Sequence, residues 1–473
     1  MEGLPRADTR MSIRLTAAVC LALASVPSHA SAKGDKARAR LYFDEGIEYY
    51  RRGDFSEALS SLTRSITEDQ GFLPAYSMRA QTRHALGDDS GASDLKRALG
   101  ISSLKHPEDA VARGTARLLA GDRKRALEDF ERALKLDPES PDAYTARGRA
   151  HRAGGDLVSA VKDWTRALKI HPQHLVARYN RARAYRDLGH SDKAVEELTQ
   201  TLRENPRFHL PYGLLGVIFA EKGDTDRAMK AYSKSLQLHP DYAFAYLGRA
   251  AVRFKLDQPK LALQDLDEAV RSAPEDYAPY LNRGEARLRS GDREGALSDF
   301  KAILDPKVAL AHPASAVAVG DRFRENGLAE EAIRMYTRAL QAASVDSTSL
   351  SKAAAENALL KRASALASQH EDAKALKDLN EAVRLSTGSA AAYTARAGLL
   401  LRTGGDLKKA EEDLHRALRL KPRHAAALST RGSLRARLGK VEEALKDFSA
   451  AIVADPDSAE AYNNRGALYA NAV

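Results

Sequence analysis

Small residues return along the chain at a fixed interval of 34 positions, each within the same pattern of apolar and polar neighbours. The series begins with Gly46, Ala80, Gly114, Gly148, Ala182, Gly216, Ala250 and Gly284. After small shifts it continues with Gly320, Ala363, Ala397, Gly432 and Gly466. A period of this length is typical of a solenoid, in which each repeat buries its apolar face by stacking on its neighbours.

Within each repeat the pattern predicts two antiparallel helices. In residues 141–174 we expect helix A over 142–153 and helix B over 157–170. Small side chains such as Gly148 let the two helices approach closely, while Trp164 fills the space between them. Pro172 ends helix B, because the residue before a proline is pushed out of the helical region.

The same frame recurs in residues 209–242, with Tyr212, Gly216, Phe219, Gly223, Ala228, Tyr232 and Pro240. This arrangement resembles the tetratricopeptide repeat family, whose pattern has an aromatic residue, a Leu-Gly pair, then Tyr, Ala, Phe and Pro at set spacings. The resemblance covers residues 39–473. It implies an all-α fold, a right-handed superhelical solenoid of antiparallel helix pairs, with about twelve repeats and a terminal helix.

Breaks in the period suggest how the array is organised. We expect repeats one to eight over 39–310, and repeats nine to twelve with a capping helix over 313–473. Nine extra residues, rich in Ser and Thr, predict an irregular loop over 344–355. Two interpretations stay open for this segment: a tolerated surface loop, or a hinge or docking point between two blocks.

The first 32 residues have the pattern of a secretory signal peptide. Three arginines precede an apolar stretch over 15–26, which is followed by the small-residue run Ser28-His29-Ala30-Ser31-Ala32. Met11 is an alternative start. We therefore expect removal of residues 1–32 and an exported protein, periplasmic or secreted.

Two alternatives concern the same leader. An N-terminal anchor helix is one, although twelve apolar residues are too few to span a bilayer, and we expect no membrane-spanning segment. Lipidation at Cys20 is the other, but Val19 is not the small residue that such a site needs. Since Cys20 is the only cysteine, the mature protein is expected to have no thiol and no disulfide.

Aligning the repeats with one another shows two positions that change together. Ten repeats have arginine just before the small residue, where the family pattern has leucine, and in the nine complete ones helix B has an acid fifteen to seventeen residues later. Repeats one, six and nine lack both, with Glu45 and Ser61, Leu215 and Ala231, and Val319 and Met335 in their place. We interpret the two positions as a structural ion pair within one repeat and not as a ligand site, because a half-buried arginine without its carboxylate is costly. The predicted pairs are Arg113–Asp129, Arg147–Asp163, Arg181–Glu197, Arg249–Asp265, Arg283–Asp299, Arg362–Asp378 and Arg431–Asp447, with Arg79–Asp94 and Arg396–Asp413 displaced by one residue.

These pairs change how the net charge of +10 is interpreted, since nine arginines would be neutralised inside the fold. In the family, helix A lines a concave groove that binds the ligand. The resemblance then implies a groove formed by Arg149, Arg152, Tyr179, Asn180, Arg183, Arg186, Leu210, Leu214 and Val217. Basic and apolar surface together would suit a peptide with acidic and hydrophobic residues. The alternative is a solvated face without a ligand.

Catalytic motifs are absent from the sequence: it has no HExxH, nucleophile-elbow or phosphate-loop pattern. We expect no enzyme, no cofactor and no metal, and we interpret His171 and His174 as ordinary loop residues. Two functions remain open. One is an exported scaffold that binds a protein or peptide in the groove. The other is a binder of polyanions, such as acidic polysaccharide, anionic membrane surface or nucleic acid, with nucleic acid the least expected because of export. Only polyanion binding should weaken steeply with salt.

Overall fold

The computed structural model describes residues 32–88, 90–305, 307–308, 313–345 and 349–471. Within these ranges the chain forms 25 α-helices and no strand, which confirms the predicted all-α class. The chain divides into two compact units, an N-terminal unit that ends at Ala273 and a C-terminal unit that begins at Pro274. Apart from Ala32, the predicted signal peptide lies outside the described residues.

In the N-terminal unit the described helices follow one another with short connections. They are α1 (Ala32–Arg52), α2 (Phe55–Glu68), α3 (Leu73–Leu86), α4 (Ala92–Leu99), α5 (Pro107–Leu119), α6 (Arg123–Leu136), α7 (Pro141–Ala153), α8 (Leu157–Ile170), α9 (Leu175–Asp187), α10 (Ser191–Glu204), α11 (His209–Glu221), α12 (Thr225–Leu238), α13 (Ala243–Lys255) and α14 (Pro259–Ser272).

The C-terminal unit continues the same succession of helices. They are α15 (Tyr277–Arg289), α16 (Arg293–Ile303), α17 (Pro313–Glu325), α18 (Ala329–Val345), α19 (Ser349–Ser368), α20 (Asp372–Leu385), α21 (Ala390–Thr403), α22 (Leu407–Leu420), α23 (Ala425–Arg437), α24 (Val441–Ala454) and α25 (Ala459–Asn471). In both units each odd-numbered helix packs against the even-numbered helix that follows it, except α25, which is the last described helix. The helix pairs are thus the predicted A and B helices.

The pair α7–α8 illustrates why this sequence forms a hairpin. Trp164 is fully buried, and a Cβ atom at position 148 would lie 2.8 Å from its indole nitrogen, so only glycine fits there. The Asp156 carboxylate accepts a hydrogen bond from the backbone N–H of Ser159 at 3.0 Å and caps the start of α8. The four predicted ends of these helices lie within one residue of the observed ends.

The segment 344–355 differs from the expected irregular loop. Helix α18 continues to Val345 and α19 already begins at Ser349, while residues 346–348 lie outside the described residues. The extra residues that the structure describes therefore lengthen two helices. The physical reason is the alanine run Ala353-Ala354-Ala355, whose high helix propensity outweighs the serines and threonines that precede it.

Candidate functional site

The co-varying arginines and acids meet between the two helices of one pair. Arg113 donates from Nη2 to Oδ1 of Asp129 at 2.7 Å and from Nε to Oδ2 at 3.1 Å, and the acid is only 3% exposed. The structure brings together the same two positions in the remaining predicted pairs: Arg79–Asp94, Arg147–Asp163, Arg181–Glu197, Arg249–Asp265, Arg283–Asp299, Arg362–Asp378, Arg396–Asp413 and Arg431–Asp447. These guanidinium groups are occupied within their own helix pair.

In several repeats a second arginine, which was not predicted from the sequence, binds the same acid as the first. Arg117, one helical turn after Arg113, donates from Nη1 to Oδ2 of Asp129 at 2.8 Å. The equivalent arginines in other pairs are Arg83, Arg253, Arg287 and Arg435. Residues four apart share one face of a helix, so the spacing of these arginines was the available signal. Each of these acids therefore accepts hydrogen bonds from two arginines or forms ion pairs with both.

The three repeats without the arginine contain other matched partners. Ser61 donates its hydroxyl to Oε2 of Glu45 at 2.9 Å. Leu215 and Ala231 belong to one apolar cluster, and Val319 and Met335 to another. An ion pair, a hydrogen bond and an apolar contact therefore occupy equivalent places, which explains why the two positions change together.

Arg181–Glu197 has the least favourable geometry of these ion pairs. Arg181 donates from Nη2 to Oε1 of Glu197 at 2.5 Å, but its Nε and the second carboxylate oxygen are buried without a hydrogen-bond partner in the described part of the chain. Aspartate at the equivalent place in other repeats, such as Asp163, accepts two hydrogen bonds from the arginine. Glu197→Asp is therefore expected to stabilise the N-terminal unit by about 1 kcal/mol in urea unfolding. Unchanged or lower stability would show that the longer side chain is not the cause.

The predicted groove residues do not form one open surface. Tyr179, Asn180 and Leu214 are buried, which corrects the expectation that they face a ligand. Arg152 and Arg186 each donate from Nη2 to the Asp187 carboxylate at 2.8 Å. The other four predicted residues are partly buried: Arg149, Arg183, Leu210 and Val217.

Some of the predicted groove residues are buried because the first helix pair packs against the fourth, fifth and sixth pairs. Phe55 meets Phe208 edge to face with ring centroids 5.6 Å apart, and the Phe208 ring lies 5.7 Å from that of Tyr179. At Gly53, where φ is +80°, a Cβ atom would lie 2.7 Å from Phe208. We call this contact the seam; it consists of Tyr50, residues 52–55, Tyr179 and residues 205–208.

Polar groups complete the seam. Asn205 donates from Nδ2 to the carbonyl of Arg52 at 2.8 Å and to Oδ1 of Asp54 at 2.9 Å. Beside it, Arg51 donates to both carboxylate oxygens of Asp142. Burial alone would raise the pKa of Asp142, but the charge of Arg51 and the hydrogen bond from His174 bring that pKa below its ordinary value. The ion pair therefore stays charged at neutral pH.

The inner helices α1, α3, α5, α7 and α9 surround a cavity of about 1100 Å³ next to the seam. Its apolar lining consists mainly of Leu41, Phe43, Ile47, Tyr49, Met78, Val111 and Leu175. Its charged lining comprises Arg40, Asp44, Glu45, Glu48, Arg51, Arg52, Glu108, Asp137, Asp142, Arg203 and Glu204. Acids outnumber arginines here, so the lining differs from the basic groove that we expected. The cavity is the candidate functional site.

Buried histidines next to the seam predict a pH dependence of stability. His209 is 5% exposed, its ring lies 4.5 Å from that of His239, and burial lowers its pKa to about 3. An unfolded histidine binds its proton near pH 6.5, so the unfolded state takes up more protons below that value. The contribution of neutral His209 to the free energy of unfolding should be fully present above pH 6.5. It should fall by up to about 1.4 kcal/mol per pH unit as the pH drops towards 3.

Urea unfolding at pH 7.5 and 5.0 measures this effect. His209→Gln should reduce the loss of stability on acidification, whereas the same substitution at the exposed His190 should leave it unchanged. Equal losses in wild type and His209→Gln would refute the assignment.

Two further features of the described residues bear on the site. None of the described helices combines the length and the apolar character that crossing a membrane requires. In the same part of the chain, His, Cys, Asp and Glu side chains form no cluster of three or more suited to a metal ion.

Comparison with known proteins gives matches to repeat families. Residues 111–174, 179–243 and 247–309 match the model described as "Tetratricopeptide repeat", and residues 432–472 match the one described as "TPR repeat". Tetratricopeptide repeat protein 36 of Danio rerio is 35% identical over 99 residues, which cover 20% of this chain. The match covers 53% of that protein, so this chain spans about half the length of the curated relative.

Several solved structures are similar to this chain. The human IFIT1 dimer with m7Gppp-AAAA is 18% identical with a TM-score of 0.47, covering 88% of this chain and 96% of that one. A tetratricopeptide repeat protein from Parabacteroides merdae is 20% identical with a TM-score of 0.38, covering 54% and 98%. The pilF protein of Pseudomonas aeruginosa is 18% identical with a TM-score of 0.37, covering 42% and 90%.

Proposed function

From the tetratricopeptide repeats that the chain contains, we propose that it is an exported, non-enzymatic scaffold that binds a peptide segment of a partner protein. The observation that carries this proposal is the cavity of about 1100 Å³ lined by successive inner helices. Stacked repeats form continuous concave surfaces of this kind, and repeat proteins use them to bind partners.

The chemistry of the lining supports a peptide as the ligand. Phe43, Ile47 and Val111 offer apolar contacts, while Gln81 and Thr115 line the same cavity with hydrogen-bonding groups. A peptide presents both kinds of group, because each residue has a backbone amide beside its side chain. The cavity volume of about 1100 Å³ lies slightly above the range of about 300–1,000 Å³ that is usual for small-molecule sites. This volume suits a short peptide segment of a partner protein.

The polyanion alternative has less support. The arginines between helices are bound to acids, and Arg152 and Arg186 share Asp187. Carboxylates outnumber arginines in the cavity lining and would repel an anionic polymer. Export is part of the proposal because residues 1–32 have the pattern of a secretory signal peptide.

Blocking the cavity tests the proposal. Val111 lies in the lining, and Val158 on α8 is 72% exposed, so Val111→Arg and Val158→Arg make the same chemical change inside and outside the site. Cross-linked capture from the cell-envelope fraction should recover a partner with wild type and Val158→Arg, and at least tenfold less with Val111→Arg. Thermal unfolding of each variant verifies the fold, and Met78→Arg serves as a second lining variant.

Different results would refute different parts of the proposal. Equal capture by wild type and both folded lining variants would refute the cavity as the site. Partners confined to the cytoplasm would refute export. Replacing Arg149, Arg183 and Arg186 with Glu tests the arginines of the groove predicted from the sequence. We expect this variant to capture the same partner as wild type.

A further inference from the structure

We infer that the segment bound in the cavity presents a lysine or arginine side chain to Glu45 and Asp137, with apolar residues beside it. The inference rests on the proposed function, because it assigns a chemistry to the occupant of the same cavity. It reverses the expectation of an acidic ligand, which depended on the arginines of α7 and α9.

The charge balance of the lining is the first step. Seven carboxylates and four guanidinium groups line the cavity, and 7 − 4 leaves three negative charges in excess. Two ion partners lie just outside the lining: Arg178 beside Glu204, and Asp54 beside Arg52. They add one charge of each sign, so the excess remains three.

The hydrogen bonds inside the cavity show where the excess arises. Arg40 binds both Asp44, at 3.1 Å, and Glu108, at 2.6 Å. Arg51 likewise binds both Glu48 and Asp142. Each of these arginines therefore faces two carboxylates and neutralises only one charge. Among the lining arginines, Arg203 has no carboxylate partner in the described part of the chain, which still leaves the acids in excess.

Two lining acids form no ion pair within the described residues. Glu45 accepts a hydrogen bond from the Ser61 hydroxyl at 2.9 Å, and Oδ1 of Asp137 accepts one from the backbone N–H of Glu139 at 3.0 Å. Glu45 also stands at the position where nine other repeats have the arginine of the structural ion pair. The first repeat thus replaces a cation with an anion in a helix that lines the cavity.

The surroundings favour a cationic side chain with an apolar stem. Charges that face a partly enclosed space are screened less by salt than charges on an open surface, so an added cation interacts strongly with them. Phe43 and Ile47 line the same cavity and offer contacts to the methylene groups of lysine or arginine. Apolar residues beside the cation would pack on Val111 and Leu175.

Selection of peptides from a random twelve-residue phage library tests the inference on the full chain. Peptides that bind wild type but not Val111→Arg should be enriched in lysine or arginine and depleted in acids. Their affinity, measured by fluorescence anisotropy, should fall about tenfold or more in the double variant Glu45→Gln, Asp137→Asn. The glutamine oxygen still accepts from Ser61, so the fold is retained. The control is Glu128→Gln with Glu131→Gln, two exposed acids on α6, which should bind like wild type.

Each outcome decides a separate point. Cationic peptides that depend on Glu45 and Asp137 support the inference. Acidic or neutral peptides, or cationic ones that bind the double variant equally well, overturn it while leaving the cavity as a peptide site. Failure to select any peptide that Val111→Arg excludes overturns the proposed function as well.

Discussion

Arg396→Ala is expected to destabilise the C-terminal unit by about 3–5 kcal/mol, because it leaves a buried carboxylate without its partner. Arg396 donates from Nε and Nη2 to the two oxygens of Asp413, each at 2.7 Å, and Asp413 is 4% exposed. Urea unfolding with hydrogen exchange of α21 and α22 measures the loss. Exchange is needed because helix pairs in a repeat array open locally.

Two controls separate the ion pair from a loss of packing. The double variant Arg396→Ala, Asp413→Ala should be more stable than Arg396→Ala alone, because it removes the unpaired charge. Arg384→Ala breaks an exposed pair with Glu381 and should have little effect. If the two substitutions at 396 and 413 destabilise the unit additively, the coupling does not exist.

Phe208→Ala is expected to open the seam. The ring is fully buried between Phe55, Tyr179 and Gly53, and removing a buried phenylalanine ring costs about 3–5 kcal/mol. Amide exchange at residues 49–58 should therefore accelerate more than a hundredfold, since each 1.4 kcal/mol corresponds to about a factor of ten.

Phe130 provides the matched control for this prediction. It is also fully buried, but it packs within the third helix pair and against Ala146 and Ala150 of the fourth, away from the seam. Phe130→Ala should destabilise its surroundings by a similar amount without faster exchange at residues 49–58. If exchange at the seam responds equally to both variants, the seam does not open independently.

Features set within one repeat were predictable from the sequence. The ends of α7 and α8 follow from a local cap, a proline and a small residue, all within 34 positions. The pairing of Arg113 with Asp129 became visible because many repeats allow the chain to be compared with itself. Both features depend on geometry inside a single hairpin, which each repeat reproduces.

Features that depend on distant repeats were not predictable. Asn205 and Asp54 are 151 residues apart in sequence, and their contact depends on small rotations accumulated over several helix pairs. No residue pattern within one repeat determines that sum. The same contact buries Tyr179 and Leu214, which position within the repeat alone had assigned to an open groove.

The net charge of the whole chain is a poor guide to the ligand for a related reason. The total of +10 describes the whole chain, whereas the cavity lining has more acids than arginines. Which charges face the cavity depends on the packing of α1 near α9. Local charge at the site, and not the total, determines which partner fits.

The most direct test of the cavity as the binding site is photo-cross-linking with p-benzoylphenylalanine placed at Val111 or at Val158, in the cell that produces the protein. We predict a cross-linked partner from position 111 and none from position 158, because Val111 lines the cavity and Val158 faces solvent on α8. A partner cross-linked from position 158 and not from position 111 would contradict the account.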